Sequence, residues 1–106
     1  MSLYNRQITR LATGTQTTVL SAPASGVFRG LLLLAVANPS TNSTLTVTIE
    51  IHDGTNDILY KVVSLAAGAS HQDQSRLVLT STDSIKLTLS ATPTDPVDVI
   101  ASYNDQ

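Results

Sequence analysis

The sequence of 106 residues contains no cysteine and no tryptophan, and it has few charged side chains. Without cysteine there is no disulfide framework and no thiolate metal site, so stability has to come from an apolar core or from neighbouring chains. Charged residues make up 13% of the chain, about half the roughly 25% usual in soluble domains. Serine and threonine supply the missing polarity, which gives a neutral, hydroxyl-rich surface that tolerates protein contact. The six cations, Arg6, Arg10, Arg29, Lys61, Arg76 and Lys86, are scattered singly and the net charge is -2. No basic patch results, and nucleic acid is not an expected partner.

The longest apolar run, Leu31 to Ala37, falls far short of the ~20 residues of a membrane helix. Met1 to Arg6 has no apolar signal region. The chain reads as soluble and untargeted, with no membrane partner. Its length fits one domain over residues 1–106, since two cores of half that size would each be marginal. The aromatics are Phe28, Tyr4, Tyr60 and Tyr103, too few for a platform that stacks sugars or bases. Phe28 and Tyr60 read as core or contact residues, and Tyr4 and Tyr103 stand near the two ends.

The pattern that is present has a period of two. In Thr44 to Ile51, Leu45, Val47, Ile49 and Ile51 alternate with threonine and glutamate, which buries one face of a strand and wets the other. The same alternation runs through Ser84 to Ser90 and Val97 to Tyr103. It predicts Val47, Ile49, Ile85, Leu87, Leu89, Val97 and Val99 as inward. Leu31 to Leu34 is apolar on both faces, as expected of a strand covered on both sides or facing another subunit. Further strands are expected at 4–11, 17–22, 57–65 and 75–79. Turn residues separate them at Asn38-Pro39, Asp53-Gly54-Thr55-Asn56, Ala67-Gly68, Thr80 to Asp83 and Pro93 to Pro96. The expected fold is all-β, a single sandwich or jelly-roll-like domain of about eight antiparallel strands.

Chemistry finds little foothold. Ser70 and His71 are adjacent, so on a strand they point to opposite faces and cannot share a proton. The Asp53 to Asp57 segment is rich in oxygen ligands but lacks the calcium-loop pattern, and a hairpin turn accounts for the same residues. His52 and His71 are read as solvated side chains on exposed loops, short of a zinc set. The glycines match no phosphate-binding spacing. The expectation is a protein that is not an enzyme and uses no cofactor.

The order of features resembles small β-sandwich virion proteins of tailed bacteriophages. It runs from Thr18-Val19-Leu20-Ser21-Ala22-Pro23-Ala24, through a strand ending Val36-Ala37-Asn38-Pro39 and the alternating strand after it, to Ser64-Leu65-Ala66-Ala67-Gly68-Ala69-Ser70. Leu77-Val78-Leu79, Thr82-Asp83-Ser84-Ile85-Lys86-Leu87 and Val97-Asp98-Val99-Ile100-Ala101-Ser102-Tyr103 complete it. The resemblance implies a building block of the virion: a capsid cement or decoration protein that bridges major capsid subunits, or a neck, tail or fibre-attachment component. It also implies a cyclic homo-oligomer such as a trimer, and it carries over no active-site residues. A carbohydrate-binding sandwich is the alternative of another class. The ends, Leu3 to Leu11 and Asp98 to Asp105, read as strands or extended arms able to add to a neighbour's sheet. Tyr4, Arg6, Arg10, Phe28 and Tyr103 are the expected subunit contacts, with Arg6 and Arg10 on one side of the N-terminal arm (1–11) facing acidic groups of a partner.

Overall fold

Alternating residues can bury one face only if a second layer covers it, and two sheets do this here. The structure is a computed structural model that describes residues 3–74 and 76–106. It contains nine strands: β1 (Leu3–Leu11), β2 (Thr17–Leu20), β3 (Arg29–Ala37), β4 (Leu45–His52), β5 (Asp57–Leu65), β6 (Ser70–Asp73), β7 (Val78–Leu79), β8 (Ser84–Leu89) and β9 (Val97–Asp105). One sheet runs β1-β9-β3-β6, with β7 also on β3, and the other runs β2-β8-β4-β5. All pairings are antiparallel.

The pairings are nested. β4 pairs with β5, β3 with β6 and β7, β2 with β8, and β1 with β9. The chain is thus one long hairpin, and rolling it up adds the contacts of β3 with β9 and β4 with β8. That is the winding of a jelly roll, the expected fold class.

The seven residues predicted to face inward are all buried, together with Leu20, Leu31, Leu34, Val36, Leu45 and Leu79. These side chains form one core between the sheets, and each contributes about 1.5–3 kcal/mol relative to an exposed position. The double-sided leucine run has a local cause. The register of β3 against β9 shifts between Leu31 and Leu33, a bulge that lets both Leu31 and Leu34 turn inward while Leu32 faces out.

Three expectations change. A ninth strand, β6, has the sequence Ser-His-Gln-Asp, which carries no apolar alternation. β7 covers only Val78–Leu79 of the strand expected over 75–79, and Ser75 lies outside the described residues. β2 ends at Leu20, short of the strand expected over 17–22. Leu3 to Leu11, read as a strand or an extended arm, is a strand whose nine residues pair in unbroken register with β9. Met1 and Ser2 lie outside the described residues.

Candidate subunit interface

The register of the larger sheet decides what its outer face presents. Inward Val97, Val99 and Ala101 of β9 leave Asp98, Ile100, Ser102 and Asn104 pointing out, and β1 opposes them with Arg10, Ile8, Arg6 and Tyr4. On the far side of β9 stand Ala37, Ala35, Leu33 and Gly30 of β3. One row is therefore Ile8, Ile100 and Ala35, and another is Tyr4, Asn104, Gly30 and Val78. Ile8 is 59% exposed and Tyr4 75%. Phe28, also exposed, extends the β3–β9 pairing by exchanging two backbone hydrogen bonds with Gln106.

Gly30 leaves room for Asn104 in this row. A β-carbon there would lie 2.6 Å from the Asn104 side-chain oxygen, which would have to turn aside. A hollow of about 270 Å³ is lined by Phe28, Gly30, Val78, Asn104 and Gln106. A second, of about 510 Å³, is lined by Tyr4, Asn5, Arg6, Leu32, Ser102 and Tyr103.

The five expected contact residues fall into different settings. Tyr4, Arg6 and Arg10 share the outer face of β1, and Phe28 is exposed near the Tyr4 end. Arg6 makes no ion pair among the described residues, whereas Arg10 Nε donates to Asp98 Oδ1 at 2.8 Å across the β1–β9 pair. That hydrogen bond strengthens the hold of Arg10 on its proton. Tyr103 points inward instead, packs against the core and lies under Arg29, whose guanidinium carbon is 4.1 Å from the ring centroid. Tyr4 and Tyr103 stand on adjacent strands but on opposite faces, Tyr103 being opposite Asn5.

Arg29 was not singled out by sequence, yet it is the polar anchor of this sheet. It is 8% exposed and grips Asp105 through two hydrogen bonds, Nε to Oδ1 at 2.8 Å and Nη2 to Oδ2 at 2.9 Å, while Nη1 donates to the Ser21 carbonyl at 2.6 Å. The bidentate fit suits guanidinium and carboxylate geometry. It holds the Asp105 carboxyl below the usual carboxylate range. On the other side of the sandwich, Lys61 reaches from β5 to Asp73 of β6 at 3.4 Å, where Asp73 is 3% exposed. Asn38 is a third buried polar residue. Its amide nitrogen donates to the carbonyls of Ser43, Leu65 and Ala66, and its side-chain oxygen accepts from Ser40 N–H. An asparagine beside proline signals a turn, but nothing in sequence marks it as buried.

The outer face of the smaller sheet is mixed: Thr46, Thr48, Thr88, Lys86 and Glu50 stand at half-buried positions, and Val62 and Leu59 of β5 are exposed beside Thr48 and Glu50. The histidines are on strands, not on loops as expected, because each ends or lies within a paired segment. His52 closes β4, with Nδ1 2.7 Å from Asp57 Oδ1, and His71 is half-buried in β6. Asp53 serves its own turn: its Oδ1 accepts from the Thr55 and Asn56 N–H groups, which lowers its pKa, and Gly54 supplies the left-handed φ of 97°. Asp57 is likewise lowered, chiefly by the Gln16 amide and then by His52.

No protein-family model matches the chain, and no curated protein matches it either. Its fold is similar to that of a chain in the acidic stable capsid structure of Helicobacter pylori bacteriophage KHP30. The likeness covers 99% of this chain and 87% of that one at a TM-score of 0.65, with 12% sequence identity. What the two share is the fold.

Proposed function

We propose that the protein is a non-enzymatic structural component of a bacteriophage virion, a capsid cement protein that bridges neighbouring shell subunits as a homo-oligomer. The observation that carries this reading is the end-to-end likeness of fold to a chain of a phage capsid structure. The outer face of the larger sheet gives it physical sense. Ile8, Ile100, Tyr4, Phe28 and Val78 are large apolar side chains left exposed on one side of one sheet, and apolar side chains grouped in this way mark contact surfaces. A neck or tail component would draw on the same surface.

Copy number separates the two locations. Densitometry of purified virions is expected to give a count approaching that of the major capsid subunit. A count near six or twelve would move the protein to the neck or tail. Absence from particles would overturn the virion reading and bring carbohydrate binding forward.

A further inference from the structure

The last strand of an open sheet turns every second N–H and C=O away from its only neighbour, and those groups form a template for another strand. Proteins guard such edges by keeping them short, bulged or blocked by inward charges and proline. Three of the four edges here are guarded in these ways. β2 has four residues and a register shift between Thr18 and Leu20. β6 and β7 are short pieces sharing one side of β3. β5 is bulged at Tyr60 and turns Lys61 inward.

β1 is neither short, bulged, interrupted by proline nor backed by an inward charge, and its one guard is the charge of Arg6 and Arg10. Its nine residues, without glycine or proline, pair with β9 with no register shift, and Tyr4, Asn5, Arg6, Ile8 and Arg10 are exposed. Among the described residues its backbone hydrogen bonds run to β9 alone. It carries two arginines and no carboxylate. Asp98 answers Arg10, and Arg6 stands open beside the hollow of about 510 Å³. A second copy of β1 laid along this edge would bring no carboxylate to Arg6, only further arginines. The edge thus rejects itself and suits an acidic strand.

We propose that the free edge of β1 accepts an extended acidic segment of a neighbouring shell subunit as an added strand. A carboxylate of that segment faces Arg6, and an apolar side chain two positions away packs on Ile8. Main-chain hydrogen bonds supply affinity, and the Arg6 pairing and the adjoining hollow supply selectivity. The inference rests on the virion reading only for the source of the segment.

The test uses the purified protein and a synthetic nine-residue peptide with threonine at the odd positions and glutamate alternating with valine at the even ones, so that glutamate and valine share one face, alongside the same peptide with lysine for glutamate. Amide hydrogen exchange followed by NMR is expected to show slowing at alternate residues of β1 on adding the acidic peptide. Arg6→Glu, an exposed change with an unaltered melting temperature, is expected to weaken acidic-peptide binding about tenfold and to admit the lysine peptide. The proposal is overturned by protection at β5 or β2 instead, by equal binding of both peptides to the natural protein, by indifference to Arg6→Glu, or by no saturation at millimolar peptide. The virion count is a separate measurement. A protein present at shell stoichiometry whose edge ignores the peptide sinks the strand acceptance alone, and an edge that binds in a protein absent from particles sinks the virion reading alone.

Discussion

β1 and β5 have the same length and the same position, each nine residues at the end of a sheet, and each exposes large apolar side chains: Tyr4 and Ile8 on one, Ile58, Leu59 and Val62 on the other. They differ in backbone. The bulge on β5 breaks the regular spacing of its outward N–H and C=O groups, while β1 keeps it. Exposed hydrophobicity therefore does not by itself mark a docking edge, and the regularity of the unpaired backbone is the better guide. The difference extends to what holds each strand down. β1 rests on β9, which Arg29 locks through Asp105, and β5 is tied across the sandwich by Lys61 and Asp73.

The largest effect on this comparison is expected from removing the lock under β1. Arg29→Ala leaves the Asp105 carboxylate without its guanidinium and should cost about 3 kcal/mol, read as a lower urea midpoint. Arg29→Lys restores the charge but not the fork, and should recover only part of the loss. On the β5 side, Lys61→Met removes one partner of the nearly buried Asp73. Because the ammonium is half-exposed and 3.4 Å away, the expected loss is smaller, about 1–2 kcal/mol.

Acid should act on both ends of the comparison more gently. The folded pKa values of Asp53, Asp57 and Asp105 are all lowered. The stability they contribute is fully present above the unfolded value of about 3.9 and disappears as pH falls through the folded values. Their share of the urea midpoint should be constant from about pH 5 upward and decline below about pH 4. Asp105→Asn should flatten part of that decline. The smallest change in stability is expected at the edge residue Ile8. Ile8→Thr should leave the melting temperature nearly unchanged, because the side chain is 59% exposed, while weakening any assembly that uses the face.

Much of the fold was legible because alternation records burial directly. β4, β8 and β9 carry it plainly, and their inward residues are the ones that form the core. β6 was hidden because Ser-His-Gln-Asp is held by β3 and by the Asp73 ion pair, with no apolar face of its own to reveal it. The bulge in β3 was hidden for the opposite reason, since four successive leucines fit any register. Of the contact residues, Tyr4, Arg6 and Arg10 lie together on one outer face, as period two requires of positions 4, 6 and 10. Tyr103 has the other parity from Ser102 and turns to the core. The Arg29–Asp105 pair joins residues far apart in sequence, and no local pattern announces such a partnership.

The nested pairing also sets the order in which the chain can fold. β4 and β5 are joined by a four-residue turn, Asp53 to Asn56, so their contact closes a short loop, whereas Leu3 meets Asp105 across almost the whole chain. Loop closure of that span is slow, and topologies dominated by such pairings fold in roughly milliseconds to seconds. The hairpin tip should be formed in the transition state and the β1–β9 seam completed after it. Stopped-flow kinetics would then show Thr48→Ala in β4 slowing folding, while Thr9→Ala in β1 mainly speeds unfolding. The strand with the open edge would be the last to arrive and the first to leave.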